Sequence, residues 1–101
     1  AEAQARHAAQ TGDEYDELLA KGGRYAAKND FRKAGKAYRE AITLRPDKPV
    51  AYFNLGAVLA NSGHHAEAAQ RFLEAKEYHA VGSKDWAEAT AAAFDLLRRE
   101  E

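Results

Sequence analysis

From residue 15 onward, apolar and small residues recur at three- and four-residue intervals, the spacing of one buried helix face. Five such stretches follow one another. They are carried by Leu18, Gly22 and Tyr25; by Ala34, Tyr38 and Ala41; by Tyr52, Leu55, Gly56 and Leu59; by Ala68, Phe72 and Ala75; and by Trp86, Ala89, Ala93 and Leu96/Leu97. Residues with strong turn chemistry separate them. Asn29-Asp30 breaks the first helix and caps the second. Pro46-Asp47-Lys48-Pro49 ends the second and opens the third, with Pro49 in the first turn, where a missing N–H costs nothing. Ser62-Gly63 turns into the fourth helix, Gly82 stops it, and Ser83 caps the fifth. Thr11-x-x-Glu14 reads as a capping box before the first helix. The fourth helix lacks a closing proline, having Ala80 in that place, and is expected to run to about Val81. Residues 1–12 are Ala/Gln-rich with weak periodicity and read as a frayed helix or a disordered segment.

The stretches repeat. At an offset of 34 residues, Gly22 falls on Gly56, Ala34 on Ala68, Tyr38 on Phe72 and Ala41 on Ala75. Leu18 falls on Tyr52, and Tyr52 in turn on Trp86. A glycine inside a helix costs about 1 kcal/mol relative to alanine, so its presence implies that another helix approaches closely there. Ala34 and Ala68 form the matching slot, and Tyr38 and Phe72 fill the space beside it. Two antiparallel helices packed in this way bury one face each, and the next pair covers the remainder.

The pattern Tyr52-x2-Leu55-Gly56-x2-Leu59, then Gly63, Ala68-x3-Phe72 and Ala75, resembles the tetratricopeptide repeat. So does Leu18-x2-Lys21-Gly22-x2-Tyr25, followed by Ala34-x3-Tyr38, Ala41 and Pro46. The resemblance implies an all-α, right-handed solenoid. Its parts are a repeat over about residues 15–48, a second over about 49–82 and a capping helix over about 83–100, forming one domain from residue 13 to 101. Lys21 stands where Leu55 packs in the second unit, so the array is expected to begin near residue 13 with nothing apolar before it. Polar residues beside Trp86 mark the last helix as the closing one.

Composition restrains the picture. Hydrophobic residues make up 46% of the 101 residues, but much of that share is alanine and isoleucine occurs once, at Ile42. The core is therefore expected to rest on Leu18, Tyr25, Tyr38, Leu55, Leu59, Phe72, Trp86, Leu96 and Leu97. There is no cysteine, which excludes disulfides, a thiolate zinc site and a cysteine nucleophile. No apolar run reaches membrane-spanning length, and no signal peptide is visible. The chain starts with alanine and has no methionine, so it reads as an excised or processed product whose compartment is unknown, with the cytoplasm as default.

Net charge is −1, distributed as −4 over residues 1–20, +6 over 21–48 and −3 over 49–101. Lys21, Arg24 and Lys28 share a face of the first helix, and Arg32, Lys36 and Arg39 one of the second. Without interleaved aromatics, this basic stretch reads as an ordinary solvated surface rather than a nucleic-acid or membrane site. The acids Asp13, Glu14, Asp16 and Glu17 are explained by the dipole at a helix start. His7, His64, His65 and His79 lack helical metal-ligand spacing, and His65 is expected to be half-buried. No nucleophile–base pair or phosphate-binding glycine loop is present. Neither an enzyme, a metal nor a cofactor is expected.

In the family that the chain resembles, the first helix of each repeat lines a concave groove. Residue by residue, the resemblance places Asp16, Leu19, Gly23, Ala26 and Ala27 there from the first repeat. It adds Val50, Phe53, Asn54, Ala57, Ala60 and Asn61 from the second, and Lys84, Ala87, Glu88 and Ala91 from the closing helix. Of the Lys, Arg and Asn set with which one subclass clamps a C-terminal carboxylate, only Asn54 and Lys84 match; Leu19, Gly23 and Glu88 replace the rest. The implied function is a scaffold module that binds a peptide or helix in a largely apolar groove, with a protein partner of unknown identity. A structural or oligomerisation element that self-associates, and an accessory domain of a larger protein, remain as alternatives.

Overall fold

The computed structural model describes the backbone of residues 2–99 and the side chains of residues 14–99. They form five α-helices: α1 (Glu2–Ala27), α2 (Phe31–Leu44), α3 (Pro49–Asn61), α4 (His65–Glu77) and α5 (Lys84–Arg99). Each packs chiefly on its neighbours in sequence, α1 with α2, α2 with α3, α3 with α4 and α4 with α5. This is an all-α helical-repeat architecture, two hairpins and a closing helix, in which stability accumulates from one neighbour to the next.

The two hairpin turns have the same chemistry. Asn29 (φ 62°) and Gly63 (φ 88°), one repeat apart, both adopt the left-handed conformation that ends a helix. The next N–H in each case reaches back to the last turn: Asp30 donates to the Tyr25 carbonyl at 2.9 Å and His64 to that of Leu59 at 2.8 Å. This is the Schellman arrangement, which satisfies carbonyls that the helix leaves open. Asp30 then caps α2 through the Lys33 N–H, and Ser83 caps α5 through the Trp86 N–H at 3.2 Å.

Close approach inside each hairpin depends on glycine. A Cβ at Gly22 would lie 2.5 Å from Tyr38 Cε1, and one at Gly56 would lie 3.0 Å from the Phe72 ring. The rings thus rest directly on the backbone of the facing helix. Around them, Ala34, Tyr38, Leu55, Val58, Leu59, Ala68, Ala69, Phe72, Ala93 and Leu96 form one buried cluster that crosses both hairpins and α5. Tyr15 with Ala41 and Ala51, and Tyr52 with Ala75 and Ala89, form two smaller ones. Ala51, Leu55 and Val58 are all buried, whereas their counterparts Glu17, Lys21 and Arg24 are exposed.

Several expectations need correction. α1 runs through Thr11, so no helix starts there, and Glu14, Asp16 and Glu17 lie mid-helix, away from any N-terminal dipole. α4 ends at Glu77 rather than near Val81. The Tyr78 N–H donates to Ala75 and the His79 N–H to Lys76, tightening the chain out of α-geometry, while the Tyr78 ring stacks on Tyr52 at 5.5 Å. Leu97 is 39% exposed: it lies one position beyond Leu96 and so turns off the buried face. Leu18, Tyr25 and Trp86 are only half-buried; Tyr15 and Val58 carry core positions that the motif did not indicate, and Tyr52, a motif position left out of the expected core, is buried as well.

Two predictions follow from this packing. Gly22→Ala gains about 1 kcal/mol of helix propensity but meets the Tyr38 ring, and overpacking costs about 1–3 kcal/mol. A melting temperature several degrees lower is expected. Gly35→Ala should raise it, because its Cβ would meet the movable guanidinium of Arg39 at 3.2 Å and Leu55 only at 3.7 Å. Thermal unfolding followed by circular dichroism checks both. The second prediction concerns pH. Burial, followed by the neighbouring Tyr78 hydroxyl, pushes the Tyr52 phenol up to about 12, and burial also raises Tyr15 and Tyr38. A phenol whose folded value lies above its unfolded one holds its proton longer when folded. Its contribution is complete below pH 10 and is lost between pH 10 and about 12. Chemical denaturation should show stability falling across that window, and Tyr52→Phe should flatten the fall.

Candidate binding groove

The repeat register determines which side chains α1, α3 and α5 place in corresponding positions. Asp16, Val50 and Lys84 correspond, as do Leu19, Phe53 and Ala87; Ala20, Asn54 and Glu88; and Gly23, Ala57 and Ala91. None of these residues is buried. Asp16, Gly23, Val50, Asn61, Lys84 and Ala87 are exposed, while Leu19, Ala26, Phe53, Asn54 and Ala57 are half-buried. Leu19, Ala26, Phe53 and Ala57 rest one side against the main core cluster. Phe53 meets Phe72 edge to face, with ring centroids 5.0 Å apart. It is therefore both a floor residue and part of the packing.

A cleft of about 170 Å³ opens between α3 and α5. Val50, Phe53 and Asn54 line it from α3, Asp85 and Glu88 from α5, and His79 from the preceding turn. Four of the expected residues, Val50, Phe53, Asn54 and Glu88, are thus brought together. Lys84 and Ala87 lie outside this cleft on α5, and Asp16, Leu19, Gly23 and Ala26 lie outside it on α1.

Phe94 was missed by sequence reasoning. It is 60% exposed, and it stands one repeat after Ala60 and two after Ala26. Adding the repeat length to Ala60 once more would have found it. With Val50 at 49% exposure, it is one of the large apolar side chains that these helices leave to solvent.

A depression of about 730 Å³ lies between α1 and α2, lined by Leu18, Leu44 and the charged side chains Glu14, Glu17, Lys21, Arg24 and Glu40. Its α1 wall corresponds to the face of α3 that α2 covers. The basic side chains Lys21, Arg24, Lys28, Arg32, Lys36 and Arg39 are exposed on α1 and α2. Arg39 pairs with Glu67 at 3.3 Å, and Lys33 lies 3.8 Å from Asp30 and 5.6 Å above the Tyr25 ring. His65 is half-buried, as expected. Among the described residues, no group of three His, Asp or Glu side chains is placed to hold a metal, and no helix is long and apolar enough to cross a membrane.

Residues 22–63 match the family model described as TPR repeat. The chain is also similar to the heat-shock protein cognate (HSC) co-chaperone sgt12 of Aspergillus fumigatus, at 30% identity over 95 residues. That match covers 94% of this chain and 28% of the relative, so the chain spans little more than a quarter of that protein's length.

Proposed function

We propose that this chain, which carries tetratricopeptide repeats, is a protein–protein interaction module whose partner lies on the surface formed by α1, α3 and α5. The observation that carries the reading is the exposure of Val50 on α3 and Phe94 on α5, two large apolar side chains at different groove positions of the repeat. Apolar side chains left to solvent lose unfavourable hydration when a partner covers them. Leu19, Phe53, Ala26 and Ala57 extend the apolar lining, and the surface suits an apolar side chain or an amphipathic helix laid along it.

The relative's name as an HSC co-chaperone fits a module that engages other proteins. The lining argues against a carboxylate-clamp mode in this chain. Leu19 and Gly23 contribute no charge where donors are needed, and Glu88 shares the cleft with Asn54 and would repel an incoming carboxylate. A peptide ending in a free acidic C-terminus should therefore show no micromolar binding in a calorimetric titration.

Val50→Glu and Phe94→Glu test the groove reading more cleanly than Phe53→Glu, because Phe53 also packs on Phe72. Both replacements are at exposed sites and should change stability by no more than about 0.5 kcal/mol. Partner binding should fall at least about tenfold with the helical spectrum unchanged. Binding that survives both substitutions would refute this placement. Concentration-dependent light scattering that these variants abolish would instead identify self-association as the use of the same surface.

A further inference from the structure

We propose that the cleft between α3 and α5 receives a basic side chain, so that the groove selects an apolar segment punctuated by Lys or Arg. This inference rests on the groove reading above and adds the chemistry of the partner. The cleft has an apolar floor, Val50 and Phe53, and an acidic wall, Asp85 and Glu88, with Asn54 and His79 completing the lining. At about 170 Å³ it is smaller than the roughly 300–1,000 Å³ typical of small-ligand pockets, a space for one side chain rather than a whole helix.

Charge decides the occupant. No ion pair is formed by Asp85 or Glu88 among the described residues. Asp95, which corresponds to Asn61, is by contrast taken up by Arg99 at 3.2 Å. Asp85 lies in the first turn of α5, where the helix dipole accounts for it, but Glu88 lies a turn further on. Lys84 is the one cation in the corresponding rows among the described residues, and it lies outside the cleft. A purely apolar segment covering Val50 and Phe53 would strip water from the two carboxylates and return nothing. An anionic segment would add repulsion. A Lys or Arg reaching the wall from an apolar segment supplies charge-assisted hydrogen bonds while its aliphatic stem covers the floor.

The test uses the full chain and two acetylated, amidated helical peptides of roughly four turns, with identical leucine faces and either lysine or glutamate on the polar face. Calorimetry measures affinity, and amide chemical shifts locate the site. The lysine peptide should perturb Val50, Phe53, Asn54 and Glu88 and bind more tightly than the glutamate peptide. Asp85→Asn combined with Glu88→Gln should weaken it about fivefold, with the melting temperature falling by no more than the few degrees that loss of the first-turn charge at Asp85 brings. If the glutamate peptide binds the same amides equally well, or if the double variant leaves affinity unchanged, the charge preference is wrong while the groove reading stands. If neither peptide perturbs those amides, both fall.

Discussion

Within each hairpin an aromatic ring lies directly on the backbone of the facing helix, and only the absence of a side chain makes that contact possible. Tyr38 rests on Gly22 and Phe72 on Gly56. Each glycine weakens its own helix, yet it lets two helices approach closely enough for alanines to complete the core. That explains how a chain so rich in alanine builds a buried cluster at all. Ala34, Ala68, Ala69 and Ala93 add little apolar area, but at short helix separation they leave no void.

The same contact organises the surface. Because both hairpins are held by the same chemistry and turn through the same left-handed residue, α1 and α3 present corresponding residues in corresponding places, and α5 continues the series. The glycine and ring positions face the core in both repeats, whereas Glu17, Lys21 and Arg24 are exposed where Ala51, Leu55 and Val58 are buried. The outward rows are free to vary: Ala26 and Ala60 give way to Phe94, and Asp16 gives way to Val50 and then Lys84. α5 departs from the repeats at one informative position. Thr90 stands where Gly22 and Gly56 stand, and its hydroxyl donates back to the Trp86 carbonyl at 2.7 Å. A ring cannot rest on α5 as it does on α1 and α3.

Much of this architecture was legible in the sequence because it rests on residues that allow few alternatives. Glycines inside helices, the Asn29-Asp30 and Ser62-Gly63 turns and the Pro46–Pro49 link each permit one local solution. The misread features depend on contacts between distant residues. The end of α4 is set where Tyr78 stacks on Tyr52, a pairing that local propensity does not encode. Thr11 and Glu14 have the spacing of a cap, but helix propensity carries α1 through them. The repeat register placed Val50, Phe53 and Asn54 together on α3, where they line the cleft against α5, and one further step of it reaches the exposed Phe94. The acidic wall from Asp85 was not legible, because the course of the turn before α5 decides which side chains meet α3.

The glycine–aromatic contact sets how closely the helices of each hairpin approach. A double-mutant cycle between Gly22→Ala and Tyr38→Leu, measured by chemical denaturation, addresses it directly, since leucine lacks the outer ring atoms that a Cβ at position 22 would meet. The cost of the added methyl should shrink or change sign once the ring is gone, giving a coupling of about 1 kcal/mol or more. Costs that simply add, within about 0.3 kcal/mol, would contradict the claim that this contact sets how closely the helices approach.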